Sequence, residues 1–136
     1  MKQMTGKQSI SFAEPVYIEG SAAVVGEMEK EGPLGAYFSH TLSDAMCGQE
    51  SWEEGESELQ LAAAKLAMQR ADVKPEQIRM VFAGDLLAQS IASSFGLVNL
   101  NCPLYGLFGA CSTIGEAISL GAMAVAGGYG DREFPF

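Results

Sequence analysis

Few residues of this 136-residue chain are equipped for chemistry: three cysteines (Cys47, Cys102, Cys111), one histidine (His40) and seventeen acidic side chains. The best placed is Cys111, in the run Leu104-Tyr105-Gly106-Leu107-Phe108-Gly109-Ala110-Cys111-Ser112-Thr113. An apolar strand enters a corner of small residues, and Cys111 stands where the next helix begins. Gly109 and Ala110 let the backbone bend without a Cβ collision. The first amides of a helix have no intrahelical partner, and the aligned peptide dipoles add about half a positive charge there. Both effects favour a thiolate at Cys111, with a pKa below the free value of ~8.5. They equally favour a bound carboxylate, with Ser112 and Thr113 as further donors. The corner alone leaves nucleophile and anion cradle open, beside the default fate of a free cysteine as a small buried apolar group. Cys47 and Cys102, which lack such a corner, read as that default.

Asp85 follows the short apolar run Arg79-Met80-Val81-Phe82-Ala83-Gly84. It therefore faces the carboxyl end of a sheet, where ligands of open α/β sheets bind. Its carboxylate suits either a bound cation or a cap for a helix starting at Leu86. Phe82 and Phe108 offer an apolar wall or plain core. His40 reads as a loop histidine. The clusters Glu27-Glu29-Glu31 and Glu53-Glu54-Glu56-Glu58 lack the pattern of a calcium loop and read as solvated faces, so no metal site is expected. A net charge of −9 disfavours nucleic acid and anionic lipid as partners. Three cysteines without framework spacing indicate a reducing, intracellular setting and leave little material for zinc.

The elements that must position these residues follow from the pattern. Residues 9–12 and 16–18 alternate like two short strands, 19–35 read as an exposed loop, and a short helix over Tyr37-Phe38 fits 36–50. Ser51-Trp52-Glu53-Glu54 is a capping box opening a helix to Arg70, with Leu59, Ala62, Ala63, Leu66 and Arg70 at helical spacing. Residues 72–77 form a turn, 79–83 a buried strand, and 86–95 a helix with Leu86, Leu87, Ala88 and Ile91 on its apolar side. A connector at 99–103, a second buried strand at 104–108 and a buried helix at 114–126 follow, with no clear strand in the tail from 129. The order β-α-β-α-β-α predicts an α/β layer with a largely parallel sheet. With 48% hydrophobic residues the chain can fill one core, so a single domain is expected. The longest apolar stretch, 117–126, is far short of the roughly 20 residues that span a bilayer. Residues 1–9 carry no apolar segment of a signal peptide.

At the Gly109–Thr113 corner the sequence resembles the nucleophile turn of the thiolase-like superfamily, which includes the third type of 3-oxoacyl-[acyl-carrier-protein] synthase. A closer resemblance is to the stage V sporulation protein AD family of spore-forming bacteria. It rests on Thr5-Gly6-Lys7-Gln8, Gly32-Pro33-Leu34-Gly35, Cys47-Gly48-Gln49-Glu50-Ser51-Trp52-Glu53, Ala83-Gly84-Asp85-Leu86-Leu87 and Leu107-Phe108-Gly109-Ala110-Cys111-Ser112-Thr113, in the family's order. Five dispersed motifs are far more specific than the cysteine turn alone.

The resemblance implies a thiolase-like half-fold, a mixed, mostly parallel sheet with packed helices, over 1–136, with 129–136 unmatched. It implies a non-catalytic protein that binds pyridine-2,6-dicarboxylate (dipicolinate) for uptake into the developing spore. It also implies a peripheral place at the inner spore membrane beside integral membrane partners. Cys111, Ser112, Thr113, Gly84, Asp85 and Phe108 are then the expected ligand-binding residues, Cys111 being equivalent to the nucleophile in position only. Donors at residues 111–113 suit one carboxylate of the dianion, and Phe108 or Phe82 its ring. Asp85 would repel the bare dianion but suit its calcium chelate. No other cofactor is implied. The enzyme relatives draw catalytic His and Asn, or two His, from a second half that this sequence does not resemble, and His40 is not at a position they use. Half of such a fold exposes an apolar face, which predicts a homodimer imitating the two halves. The alternatives are acyl transfer through a Cys111 thioester and a role as an interaction module.

Overall fold

The computed structural model describes residues 4–87 and 89–135. Residues 1–3 of the expected leaderless amino terminus, Ala88 of the expected second helix and Phe136 of the tail lie outside the described residues.

The first fifty residues form only short elements. Strands β1 (Met4–Thr5) and β2 (Ser9–Ile10) pair antiparallel, and β3 (Val24–Val25) precedes a one-turn helix, α1 (Glu27–Glu31). A 3-10 turn over Gly35–Tyr37 then leads to β4 (His40–Thr41), which pairs parallel to β3. The expected strand at 16–18 does not form, and Tyr17 and Ile18 stand exposed. Nor is 19–35 only a loop. Glu27 and Glu29 occupy the first turn of α1, where negative charge complements the helix dipole, and Lys30 its last. His40 pairs with Val24 in a strand instead of lying in a loop.

The capping box acts as the sequence predicts. Ser51 is extended, and its Oγ accepts the Glu54 N–H at 3.2 Å to open α2 (Trp52–Ala71). The reciprocal bond differs: the Ser51 hydroxyl donates to Glu54 Oε2 at 3.1 Å. The buried stripe is Gln60, Ala63, Ala64, Ala67 and Met68, one residue (about 100°) on from the expected one. Small alanines let α2 pack over the cluster that β5 and α3 complete. Arg70 instead reaches out to the Ser21 carbonyl at 2.9 Å and Ser39 Oγ at 2.7 Å. Asp72, left-handed at φ 52°, ends the helix, and Pro75–Gln77 form a 3-10 turn.

The remaining order is β5 (Met80–Gly84), α3 (Ile91–Leu97), β6 (Leu104–Leu107), α4 (Thr113–Ala126) and β7 (Glu133–Pro135). They build a parallel sheet of order β6-β5-β7, so the chain has the expected α/β, mostly parallel architecture. Alternation along β5 sends Val81 and Ala83 into a cluster with Ala64, Met68, Leu97 and Leu100, and Phe82 to the other face with Ala117 and Ala124. Three expectations change. The tail contributes β7. β6 is half-exposed, because it lies at the sheet edge. Helix α4 buries only Thr113, Ala117, Gly121 and Ala124, leaving Ile114, Ile118, Leu120 and Met123 exposed. Among the described residues no helix is long and apolar enough to cross a membrane.

Candidate functional site

The site stands at the carboxyl ends of β5 and β6. Gly84 pairs with Leu107 in parallel register, so Asp85 and Phe108 leave the sheet from the same end. The start of α4 closes on that end. A Cβ on Gly84 would stand 2.7 Å from Thr113 Cγ2 and collide with the Leu107 carbonyl, so only glycine permits this approach. Thr113 is buried, and its Oγ1 has no hydrogen-bond partner. From α2, Gln60 Nε2 donates to the Gly84 carbonyl at 3.4 Å, and Glu56 Oε1 accepts the Leu86 N–H at 2.9 Å.

Asp85 is used by the fold. Its Oδ1 accepts the Ser90 N–H at 2.8 Å, and its Oδ2 accepts the N–H and hydroxyl of Ser93 at 3.0 and 2.8 Å. It thereby caps α3 from five residues upstream, across a turn in which Gln89 and Ser90 are left-handed at φ 50° and 72°. This explains why the helix begins at Ile91 and not at Leu86, and why Leu86 and Leu87 are exposed.

The cysteine corner is tighter than the sequence implies. Ala110 is left-handed at φ 47°, an uncommon conformation for a residue with a Cβ. Ala110–Ser112 form a 3-10 turn, and α4 proper starts at Thr113. Cys111 is exposed on that turn. It belongs to the approach to the helix and not to its first turn. The Ser112 N–H is already taken by the Gly109 carbonyl at 2.9 Å. The Ser112 hydroxyl lies 2.8 Å from that carbonyl and 2.6 Å from Glu116 Oε1. A carboxylate of the chain itself therefore overhangs the place an incoming anion would take. The sequence signals of this Glu116 contact are the Ser112-x-x-x-Glu116 spacing and an acid in the first helical turn.

Phe108 is 71% exposed just before this corner, whereas Phe82 is core and stacks on Tyr105 with centroids 5.2 Å apart. Plain core is thus correct for Phe82 and wrong for Phe108. A shallow concavity of about 480 Å³ beside the corner is lined by Ser112, Gly115, Glu116, Ser119 and Leu120. Gly84, Asp85, Phe108, Cys111, Ser112 and Thr113 thus gather at one end of the sheet, but only Ser112 lines the concavity.

A family model described as Stage V sporulation protein AD matches residues 6–134. The chain belongs to that family. Stage V sporulation protein AD of Bacillus subtilis (strain 168) is 35% identical over 130 residues, covering 96% of this chain and 38% of that protein. The chain thus spans well under half the length of this relative.

Other chemistry-bearing residues of this family member stand apart from the corner. His40 lies in the β3–β4 sheet. Cys47, left-handed at φ 57°, and Cys102 are both half-buried. Burial pushes the Cys47 thiol pKa up, with Asp44 and Glu58 adding to it, and burial followed by Glu133 does the same to Cys102. Among the described residues no three His, Cys, Asp or Glu side chains converge as a metal site.

Proposed function

We propose that this sporulation-family protein binds dipicolinate without catalysis and serves its uptake into the developing spore. The observation that carries the reading is the family match over residues 6–134, which includes the whole β5–β6 mouth and its corner. The chemistry there suits a planar aromatic dianion. Phe108 presents an open ring face, and the positive end of the α4 dipole favours a carboxylate beside it. Glu116 and Asp85 place negative charge at the same end of the sheet, which opposes a bare dianion and favours its calcium chelate. Acyl transfer through Cys111 needs a general base and an oxyanion hole, and His40 sits in another sheet.

The protein acts inside the cell and peripherally at the inner spore membrane, beside other sporulation membrane proteins. A second copy covers the exposed pair Ile114 and Ile118 of α4, at i and i+4. Nucleic acid is not a partner, given the charge of −9.

Calorimetric titration with dipicolinate, with and without calcium, tests the reading. Saturable binding tighter than about 1 mM that strengthens with calcium is expected, and no saturation under either condition overturns it. Mass spectrometry after incubation with acetyl-coenzyme A separates the alternative: an acetyl adduct on Cys111 would assign the chain to acyl transfer.

A further inference from the structure

A second concave surface lies on the α2–α3 side of the molecule. Helix α3 meets α2 at unusually small residues. A Cβ on Gly96 would stand 2.6 Å from the Ser57 carbonyl, and Ser57 Oγ donates to the Ala92 carbonyl at 3.0 Å. With Ala92, Ser93, Gly96 and Leu97 buried, Ile91, Ser94 and Phe95 of this helix of about two turns are turned outward. Ile91 is 51% and Phe95 72% exposed, at i and i+4. They form one wall of a groove of about 410 Å³, and Glu53, Glu54, Glu58 and Leu61 of α2 form the other. The stripe Glu54–Glu58–Leu61 runs about 10 Å along α2, roughly two helical turns. None of these three carboxylates has a cationic partner among the described residues, where the ion pair is Arg132–Glu19.

We propose that this groove docks a basic amphipathic helix of a partner protein, its apolar side chains against Ile91 and Phe95 and its lysines or arginines against Glu53, Glu54 and Glu58. Charge complementarity selects the occupant. A second copy of this chain is a poor candidate, because its net charge is −9 and neither α3 nor α4 carries a lysine or arginine. A wall that is half carboxylate rejects an uncharged apolar helix, which would leave the acids without counter-charge as water is displaced.

The test uses the full chain and a fluorescein-labelled lysine–leucine amphipathic peptide of about 14 residues, with a glutamate–leucine peptide of the same pattern as control. Anisotropy is expected to give a Kd below about 100 µM for the basic peptide, weakening several-fold between about 50 and 300 mM salt, and no binding of the acidic one. Phe95→Ser and Glu58→Lys should each weaken the basic peptide about tenfold. Glu58→Lys should also gain affinity for the acidic peptide, a swap that misfolding cannot mimic. Nuclear magnetic resonance shifts should centre on residues 53–61 and 91–96. Equal binding of both peptides, no effect of either variant, or shifts centred on α4 would overturn the proposal. So would a concentration-dependent dimer abolished by Phe95→Ser, which would give the groove to a second copy.

Discussion

Replacing Glu116 by Gln isolates the charge that overhangs the corner while keeping the side chain's shape. Glu116 Oε1 lies 2.6 Å from Ser112 Oγ, so an anion taking a hydrogen bond from that hydroxyl would stand within about 5 Å of the carboxylate. Two unit charges at about 5 Å repel by about 0.8 kcal/mol in a water-like medium and by about 3 kcal/mol at an effective dielectric of about 20. Glu116 is exposed, so the lower figure governs. Glu116→Gln should therefore bind dipicolinate without calcium about fourfold more tightly than the parent chain. With calcium present the order should reverse, because the variant has lost an oxygen ligand of full charge. The substitution also removes an acid from the first turn of α4, costing roughly 0.3–1 kcal/mol, or a fall in Tm of a few degrees. Calorimetry with and without calcium, beside a thermal melt, reads all three effects. Unchanged or weakened calcium-free binding by a folded variant would refute the electrostatic reasoning and leave Glu116 as a helix-cap residue only.

Asp85→Ala should destabilise the chain by about 2–3 kcal/mol in urea denaturation, because it strands two backbone N–H groups and a buried hydroxyl. A loss below about 0.5 kcal/mol would show that α3 is capped by other means. Cys111 should be alkylated by iodoacetamide well before Cys47 or Cys102, since it is exposed while burial shields the other two and raises their pKa. Peptide mapping that finds either of them modified first would contradict this order. Burial raises the Glu133 carboxyl above its ordinary 4.5, outweighing the Met80 backbone N–H and the Arg79 charge. A carboxyl raised in the folded state holds its proton more tightly there than when unfolded. Its contribution is therefore full below about pH 4.5 and lost as pH climbs through the folded pKa. Glu133→Gln should flatten the decline in stability above pH 4.5, and an unchanged profile would refute the assignment.

The fold was legible wherever a local device dictates it. The Ser51 box opens α2, Pro75 stops it from continuing, and the apolar runs at 79–83 and 104–108 become neighbouring parallel strands. What the sequence hid depends on distant partners. The buried stripe of α2 is set by its fit to the sheet and to α3, so alanines win over Leu59 and Leu66. Helix α3 starts five residues late because Asp85 reaches forward to Ser90 and Ser93. β7 contains a proline and alternates poorly, and it exists because β5 offers an open edge to Glu133–Pro135. At the site the corner was readable because small residues between an apolar strand and a helix leave few other shapes. Its occupancy by Glu116 was not, because a side chain four residues on matters only once the turn has closed.

The small seat of α4 ties that corner to the whole sheet. Thr113, Ala117, Gly121 and Ala124 are all the helix has against β5 and β7, and Phe82 Cδ2 is 3.8 Å from where a Cβ on Gly121 would be. Alanine fits there, but anything bulkier must lift the rod off its bed. Lifting it tilts the far end, about 12 Å away, where Thr113 wedges against Gly84. A residue remote from Cys111 can thus set the height of the whole corner, as the rear sight of a rifle sets the aim of its muzzle.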